Sequence, residues 1–235
     1  MELAIVLKGV TKQFSSTKAL DNVSLAVKRG ELFGLLGPNG SGKTTMIKVL
    51  TGQIKPNSGV AFVDSINVIE NPLEVRELVG IIPEQENPPS FLTAEEYLEF
   101  VGEIRKIKDI RKESERWFRF LDFADQRNVL CKDLSRGTRQ KLMFSQAFIH
   151  RPKIAFIDEP LVNLDPVSQR KVKDFLRQQS KEGCTIFFST HTLEIAEQIC
   201  TSIAIINKGK IIYRGNLKGG KEHLESKFLR LLKKK

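Results

Sequence analysis

The segment between residues 37 and 45 has the residue types and the spacing of a loop that binds phosphate. It reads Gly37-Pro38-Asn39-Gly40-Ser41-Gly42-Lys43-Thr44-Thr45 and contains the pattern Gly-x-x-x-x-Gly-Lys-Thr. In such a loop the backbone N–H groups point at the phosphates, the lysine reaches the β- and γ-phosphates, and the threonine hydroxyl ligates Mg²⁺. The alternative is a glycine-rich turn that binds nothing, and the Lys43-Thr44 pair disfavours it. We therefore predict that the chain binds a nucleoside triphosphate.

Two acids follow directly after an apolar segment in the second half of the chain. Residues 154–157 have the sequence Ile-Ala-Phe-Ile, which is typical of a buried strand, and Asp158 and Glu159 come next. The carboxyl ends of parallel strands are where α/β sheets bind their ligands. We expect Asp158 to hold Mg²⁺, directly or through water, and Glu159 to orient and activate an attacking water. A helix cap or a turn is the alternative for such a pair.

Two further segments contain side chains that could contact an anion. Ser135 has the position of a helix N-cap, and together with Gly137 it could offer a hydroxyl and backbone N–H groups to a phosphate. Caps of this kind are common, and most of them bind nothing. His191 follows a predicted strand at 184–189 and could hydrogen-bond a phosphate oxygen. A lone histidine is usually structural, but this position favours the phosphate role.

The elements that must position these residues alternate between strands and helices. The predicted strands are 3–10, 20–28, 60–63, 154–157, 184–189, and a hairpin of 203–206 with 210–213; the predicted helices are 44–50, 168–180 and 193–200. This alternation predicts an α/β fold with a mostly parallel sheet and helices on both faces.

A charged helical block at roughly 85–150 interrupts the alternation. Its first helix is predicted to begin with a capping box formed by Thr93 and Glu96. The apolar residues that recur on one face of this helix are Tyr97, Phe100, Val101 and Ile104. Because the block lies between two strand-forming segments, we interpret it as an inserted subdomain.

Composition and charge restrict the class of protein. With 40% hydrophobic residues in 235, the chain can build a core. No apolar run approaches the ~20 residues of a membrane-spanning helix, the N-terminus lacks a secretory signal pattern, and three scattered cysteines suit a reducing compartment. Residues 218–235 contain seven Lys or Arg and two Glu, a net +5 of the total +10. This tail could contact anionic lipid or nucleic acid, or it could be a solvated end.

The ordered set of motifs resembles the ATP-binding subunits of ATP-binding cassette (ABC) transporters over nearly the whole chain. The corresponding segments are the phosphate loop 37–44, the signature loop 134–138, the acidic segment 154–159, the following loop Leu164-Asp165, the switch His191, and Phe14 in the place of an aromatic ring that stacks on adenine. A phosphate loop alone fits many ATPases and GTPases, whereas the ordered set is far more specific. The resemblance implies ATP and Mg²⁺ as cofactors.

The resemblance also implies a domain organisation. Residues 1–235 would form a single ABC ATPase domain with the P-loop NTPase fold. Its core, with a mostly parallel sheet and N-terminal antiparallel strands, would comprise 1–84 and 151–215. Residues 85–150 would be the inserted helical subdomain, and residues 216–235 a basic C-terminal helix or tail.

Partners follow from the family's architecture. In this family two nucleotide domains pair head to tail, so Ser135 and Gly137 of one would contact the γ-phosphate held by Lys43 of the other. Asp165 would lie at that interface, and the helical subdomain would bind a membrane-embedded permease subunit. The chain would then be cytoplasmic, peripheral at the inner face of the cell membrane, and would hydrolyse ATP to drive transport.

The chain departs from the usual pattern of the family at three places. Where the family usually has a glutamine ahead of the helical subdomain, this chain has Glu84 followed by Gln85, and counting from Pro83 to Leu92-Thr93 favours Glu84 as the equivalent. A carboxylate there could still ligate Mg²⁺. The signature loop reads Ser-Arg-Gly-Thr in place of the commoner Ser-Gly-Gly-Gln. These two departures resemble ATPases of the ABC-2 type, which are largely exporters, so we expect export. The third departure, Leu161-Val162 in place of small polar residues, has no functional interpretation.

Other functions are consistent with a phosphate loop but less so with the remaining motifs. A soluble ABC ATPase acting on ribosomes or nucleic acid would suit the positive charge. Such proteins usually contain two cassettes or a long coiled coil, whereas this chain has one cassette and no sustained heptads, so nucleic acid is not expected as a partner. Glu159 and His191 disfavour a non-catalytic ATP sensor. GTP specificity is disfavoured because Asn207-Lys208 lacks the following x-Asp that reads guanine in GTPases of the Ras type.

Overall fold

The computed structural model of the chain describes residues 2–85, 87–161, 163–217 and 224–233. Its strands are β1 (Leu3–Phe14), β2 (Thr17–Lys28), β3 (Leu32–Leu36), β4 (Ser58–Val63), β5 (Ile66–Asn67), β6 (Val79–Ile82), β7 (Ile154–Asp158), β8 (Thr185–Thr190), β9 (Ser202–Asn207) and β10 (Lys210–Asn216). Its α-helices are α1 (Lys43–Leu50), α2 (Pro72–Leu78), α3 (Ala94–Ile104), α4 (Ile110–Phe120), α5 (Arg136–Phe148), α6 (Pro166–Lys181), α7 (Leu193–Ile199) and α8 (Leu224–Lys233). Val162 and much of the basic tail, including Lys218, Lys221, Lys234 and Lys235, lie outside the described residues.

The larger sheet contains six strands in the order β10-β9-β3-β8-β7-β6. Five of them run parallel, and β10 pairs antiparallel with β9 at one edge. Every residue of β3, β7 and β8 is buried, since both faces of these central strands are covered. The predictions of a mostly parallel sheet and of a C-terminal hairpin are confirmed.

A second, antiparallel sheet is formed within residues 3–67 in the order β2-β1-β4-β5. Its first two strands are longer than the sequence predicted, because they continue to a tight turn at Ser15-Ser16 instead of leaving a loop. The helix α1 shares a buried cluster with both sheets, in which Met46 and Leu50 are fully buried. The helix that follows the phosphate loop is therefore held from both sides.

The helical block leaves and rejoins the larger sheet at neighbouring strands. β6 and β7 pair side by side, although α3, α4 and α5 separate them in sequence. Side chains of these helices, among them Leu98, Trp117 and Phe144, share one buried cluster with residues on a face of the sheet. The exact division at residues 84/85 and 150/151 stays a prediction.

The first helix of the block, α3, combines a confirmed prediction with an unexpected exposure. Thr93 and Glu96 form the reciprocal capping box that the sequence indicated. Half of the predicted apolar face is in solvent, since Phe100 is 47% and Ile104 61% exposed. The helix buries Val101 of that face together with Ala94 and Leu98, which lie outside the predicted face. Periodicity located the apolar residues but not the side of the helix that the core covers.

The C-terminal helix and the three cysteines contribute to the same buried cluster as the helical block. α8 packs on α7 through the buried Leu224, whose backbone N–H donates to the Glu197 carboxylate at 2.8 Å. Cys131, Cys184 and Cys200 are buried free thiols. None of the helices in the described ranges has both the length and the apolar character needed to cross a bilayer.

Candidate active site

The phosphate loop connects the end of β3 to α1, as the sequence predicted. Two of its glycines are required by close backbone approaches. A Cβ on Gly37 would lie 2.4 Å from the carbonyl oxygen of Ile206, and one on Gly42, whose φ is +111°, would lie 2.4 Å from that of Ala19. Gly42 is also the N-cap of α1. The first N–H groups of a helix have no intrahelical acceptor, so the loop directs these donors and the positive end of the helix dipole at one point.

Lys43 begins α1 and folds back over the loop. Its ammonium group, buried with the rest of the residue, donates to the carbonyl oxygens of Gly37 at 2.8 Å and Pro38 at 3.2 Å. An ammonium group has three donors, so one remains for another acceptor. The Glu159 carboxylate lies 3.9 Å from the same nitrogen. The loop thus fixes a cation at the place where a phosphate chain would pass.

Asp158 and Glu159 lie at the carboxyl end of β7, beside the end of β8. Asp158 is opposite Ser189 in the parallel register, and the Ser189 hydroxyl donates to its carboxylate. The backbone N–H of Glu159 donates to the Ser189 carbonyl oxygen at 3.1 Å. Glu159 has a φ of +49°, in the left-handed region that non-glycine residues seldom occupy. Such backbone strain is typical of functional positions.

The Glu159 carboxylate is held by the segment that follows β8. Its Oε1 accepts from the backbone N–H of His191 at 2.8 Å and lies 2.7 Å from His191 Nδ1. Its Oε2 accepts from the Thr190 hydroxyl at 3.0 Å. The ring of His191 is half exposed, so it can contact both this carboxylate and a bound group. This arrangement orients the carboxylate while leaving part of it accessible.

A cavity of about 300 Å³ brings most of the predicted residues together. Its walls are formed by Ala19, Asn39, Gly40, Gly42, Lys43, Thr44, Thr45, Glu84, Asp158 and Glu159. The Thr44 hydroxyl lies 3.3 Å from the Glu84 carboxylate, although 40 positions separate the two residues. The predicted site residues that do not line these walls are, in the phosphate loop, Gly37, Pro38 and Ser41, and elsewhere Phe14, Ser135, Gly137, Asp165 and His191.

Three carboxylates face one another across this cavity and favour a divalent cation. Burial raises the pKa of Asp158 above its ordinary value, and the negative charges of Glu84 and Glu159 act in the same direction, against hydrogen bonds from Ser189 and Thr44. Carboxylate and hydroxyl oxygens are ligands that Mg²⁺ prefers. Within the described ranges no group of three or more Asp, Glu, His or Cys side chains has the geometry to hold a metal ion by itself. This fits Mg²⁺, which is usually held by one or two carboxylates together with substrate phosphates.

We expect Asp158→Asn to stabilise the protein in the absence of nucleotide and metal. The folded state binds the Asp158 proton more tightly than the unfolded chain does, so the carboxylate lowers stability as the pH rises from its ordinary pKa through the raised one. The amide keeps the shape and removes this cost. A gain of about 1 kcal/mol would raise the melting temperature by about 2–4 °C in a domain of this size.

Calorimetry at several pH values checks this expectation. The gain should be present at pH 7 and should disappear below the ordinary pKa of an aspartate, where both states are protonated. Asp133→Asn, at an exposed aspartate, should leave the melting temperature unchanged. An unchanged or lower melting temperature for Asp158→Asn at pH 7 would contradict the expectation.

Ser135 and Gly137 lie at the start of α5, where the predicted cap is confirmed. The Ser135 hydroxyl accepts from the Thr138 backbone N–H at 3.1 Å and lies 2.9 Å from the Thr138 hydroxyl. A Cβ on Gly137 would lie 3.0 Å from the carbonyl oxygen of Asn163. The signature loop therefore contacts the loop before α6, and Ser135 is exposed there.

Asp165 and Phe14 lie apart from the phosphate cavity. Asp165 is the N-cap of α6: its carboxylate accepts from the backbone N–H of Ser168 at 2.9 Å and from the Ser168 hydroxyl at 2.5 Å, and these bonds lower its pKa. Phe14 ends β1 with its ring 48% exposed, and the Lys12 ammonium lies 5.0 Å from the ring centroid. The roles that the resemblance implies for both residues stay predictions.

Sequence reasoning missed two side chains that complete the site. Ser189 and Thr190 hold the two acids, and both are buried. The signal was present, because two hydroxyl residues end the strand directly before His191. Recognising it required the knowledge that β8 is the neighbour of β7.

The glycine-rich loop between a strand and a helix presents Lys43 and Thr44 beside the acids at the end of another parallel strand of the same sheet. This arrangement defines a P-loop nucleoside triphosphatase. Comparison with known proteins identifies the family. The family model for ABC transporters matches residues 20–162, and the chain belongs to this family.

Relatives of similar length agree with this assignment. An uncharacterised ABC transporter ATP-binding protein of Methanocaldococcus jannaschii is 35% identical over 92% of this chain and 79% of its own length. The ABC transporter ATP-binding protein NatA of Bacillus subtilis is 34% identical over 85% of this chain and 82% of its own. The chain is therefore an ATP-binding subunit of an ABC transporter, and the predicted family is confirmed.

Solved structures agree on the fold. The chain resembles the structure of an ATP-binding subunit of an ABC transporter with a TM-score of 0.89 and 28% identity, over 98% of this chain and all of the other. It also resembles two dimeric structures of a bacterial ABC transporter cassette, each over 92% of this chain and all of the other. The first has a TM-score of 0.86 at 27% identity. The second, a post-hydrolysis state bound to ADP and phosphate, has a TM-score of 0.85 at 26% identity. The ATPase activity and the cofactors ATP and Mg²⁺ that the sequence predicted are confirmed with the family.

Proposed function

We propose that this subunit hydrolyses ATP between two paired cassettes and thereby drives export through a separate membrane permease. The observation that carries the proposal is the division of the predicted site. The phosphate loop and the acids share one cavity, whereas Ser135, Gly137 and Asp165 lie on a second surface that does not line it. A second cassette is needed to bring the two halves together.

Within one cassette, the side chains divide the chemistry between binding and proton transfer. Lys43 and the N–H groups of the loop hold the phosphates, and Thr44 with Asp158 positions Mg²⁺. Bound Mg²⁺ supplies positive charge that neutralises the phosphate oxygens. Glu159 accepts the proton of the water whose oxygen forms the new bond to the γ-phosphorus, while the bond to the ADP oxygen breaks. His191 orients Glu159 and contacts the γ-phosphate.

Glu84 is proposed as a further ligand of Mg²⁺, directly or through water. Its carboxylate lies 3.3 Å from the Thr44 hydroxyl and lines the phosphate cavity. A carboxylate in place of the family's usual glutamine adds a negative charge beside Asp158, and this repulsion falls when a dication is bound. Occupation of the site should therefore depend more steeply on Mg²⁺ in this chain than in a Glu84→Gln variant.

The proposed second cassette completes the site in a head-to-tail pair. The Ser135 hydroxyl and the backbone at Gly137 of one copy would face the γ-phosphate on the other, and Asp165 would lie at the contact. Ser135 is exposed at the N-terminus of α5, where backbone donors and the helix dipole favour an anion. The dimeric cassettes among the structural neighbours support such a pair. Phe14 is proposed to stack on the adenine.

The membrane subunit is proposed to dock on the exposed apolar side of α3 and the neighbouring α2. Leu73 of α2 is 68% exposed and Ile104 of α3 61%, and Phe91, in the segment just before α3, is 77% exposed. Exposed apolar surface of this kind marks an interaction site. Arg105 ties the two helices together, since its guanidinium donates to the carbonyl oxygens of Arg76 and Glu77 at the end of α2. Docking there would place the cassette at the cytoplasmic face of the cell membrane.

An affinity experiment on native membranes tests this docking surface. We expect the tagged chain, isolated after detergent solubilisation, to copurify with a polytopic membrane protein in near-equal amount. Phe91→Asp combined with Ile104→Asp should lower that recovery at least about tenfold, because two charges would be buried in an apolar contact. ATP affinity should stay unchanged, which shows that the variant is folded.

A matched control places an acid on an exposed apolar residue elsewhere. Leu229→Asp, on α8, should leave recovery of the membrane protein unchanged. Equal recovery with the Phe91/Ile104 variant would reject the surface. Recovery of the wild-type chain only with ribosomes or nucleic acid would contradict coupling to a membrane permease and favour a soluble ABC ATPase that acts on ribosomes or nucleic acid.

Export as the direction of transport is supported by the two departures at Glu84 and in the signature loop. Transport assays in inverted vesicles that contain the copurified membrane protein would test it. ATP added outside should drive substrate into such vesicles if the complex is an exporter.

A further inference from the structure

A second cavity, of about 600 Å³, lies between α4 and α6 and shares no lining residue with the phosphate cavity. Its apolar wall consists of Trp117 and Phe120 of α4 and Phe175 of α6. The ring centroid of Trp117 lies 5.2 Å from that of Phe175 and 5.7 Å from that of Phe120, with the rings edge to face. Cavities of roughly 300–1,000 Å³ with apolar walls and a few polar groups are typical of sites for small molecules. We call this cavity the α4–α6 groove.

The rim of the α4–α6 groove is positively charged. Lys112, Arg116, Arg119 and Glu115 stand on it, all from α4. The Glu115 carboxylate is already used, since it accepts from Arg127 at 2.5 Å and from Arg119 at 2.6 Å, and these two cations lower its pKa. Two cations remain without a comparable partner.

These two cations, Lys112 and Arg116, are one helical turn apart. Arg116 is 3.5 Å from Glu113, but that carboxylate also accepts from Arg151 at 2.6 Å. Over the described part of the chain, Lys112 has no ion-pair partner. Like charges four residues apart on a helix repel each other. An anion bound between Lys112 and Arg116 would remove this repulsion.

We propose that the α4–α6 groove binds a small amphiphilic anion, a free carboxylate with an apolar tail of the fatty-acid class. The tail lies against the rings of Trp117, Phe120 and Phe175, and the carboxylate lies between Lys112 and Arg116. The carbon-lined wall accounts for the tail, and the surplus of positive charge on the rim selects an acid over a neutral or cationic amphiphile. Binding here is independent of the ATP site.

Trp117 makes the groove directly observable, because it is the only tryptophan of the chain. Dodecanoate brominated on its tail, added below the concentration at which it forms micelles, should quench the fluorescence of Trp117 in a saturable manner. Unbrominated dodecanoate should restore the fluorescence by competition. Dodecylamine, which has the same tail and the opposite charge, should compete at least about tenfold more weakly.

Charge reversal on the rim separates the groove from general surface adsorption. Lys112→Glu combined with Arg116→Glu should weaken the apparent affinity for dodecanoate at least about tenfold, since two charge-assisted contacts are lost. Lys108→Glu combined with Lys153→Glu changes the net charge equally at two exposed lysines outside the groove and should leave the affinity unchanged. ATP affinity measured on each variant reports that it is folded.

Five outcomes would overturn the proposal. Quenching that does not saturate would mean that dodecanoate only adsorbs on an apolar surface. Equal quenching in the wild type and in the Lys112→Glu/Arg116→Glu variant would mean the same. Equal competition by dodecylamine would do the same. Quenching by brominated anionic phospholipid vesicles but not by free dodecanoate would make the groove a membrane contact. Loss of the copurified membrane protein in the Lys112→Glu/Arg116→Glu variant, with no effect of dodecanoate on the fluorescence of Trp117, would make the groove a protein interface.

Discussion

Replacing Glu159 with glutamine is expected to lower the rate of ATP hydrolysis by roughly 10²–10⁴-fold while leaving ATP binding intact, because this is the usual contribution of a positioned general base. The amide has nearly the same shape as the carboxylate and can still accept from the His191 backbone N–H, which lies 2.8 Å from Oε1. It cannot take the proton of an attacking water. Lys43 and the loop, which hold the phosphates, are unchanged.

Single-turnover hydrolysis and equilibrium binding of ATP, measured on the same preparation, check this expectation. Glu194→Gln, an exposed glutamate in the first turn of α7, is the matched control and should hydrolyse ATP at the wild-type rate. If two cassettes enclose ATP, the Glu159→Gln variant should also remain dimeric in ATP and Mg²⁺, which light scattering would detect. Unchanged turnover would reject Glu159 as the base; loss of binding together with turnover would assign it a structural role instead.

Replacing Lys43 with alanine is expected to abolish detectable ATP binding at micromolar concentrations. The ammonium group is buried beside the loop and has one donor left after its bonds to Gly37 and Pro38. Removing one partner of a buried, charge-assisted contact costs about 2–5 kcal/mol, which corresponds to an affinity loss of roughly 30- to 5,000-fold. The loop would also lose the cation that holds the carbonyl oxygens of both residues.

Isothermal titration with ATP and Mg²⁺ measures this effect. Lys48→Ala removes an exposed lysine from the same helix and should bind ATP like the wild type. The thermal transition of Lys43→Ala must remain cooperative for the comparison to be valid. Wild-type affinity in this variant would mean that the segment 37–45 does not hold the phosphates.

The sequence located most of the candidate site because its signals are local. The phosphate loop needs only a strand, two glycines, a lysine and a threonine within a few residues of one another. The acids at 158 and 159 needed only an apolar strand before them. The caps at Thr93 and Ser135 depend on side chains that reach three residues along the chain, and both are present. Patterns of this kind depend on residues close in sequence and not on how the rest of the chain packs.

Contacts between distant segments required the tertiary structure. Thr44 and Glu84 meet because β6 and α1 approach the same end of the sheet, and Glu159 meets Thr190 because β7 and β8 are neighbours. The exposure of Ile104 was also invisible, since helical periodicity identifies an apolar stripe without identifying what covers it.

By itself, then, the sequence determined the family, the chemistry of nucleotide binding and the alternation that gives a parallel sheet. Only the tertiary structure decided which side of α3 stays in solvent, how His191 is oriented on Glu159, and that the aromatic rings of α4 and α6 enclose a groove beneath a cationic rim. The physical reason is the range of the interactions. Hydrogen-bonding motifs and strand patterns are encoded within a few residues, whereas burial and charge surplus depend on elements that meet only when the chain has packed.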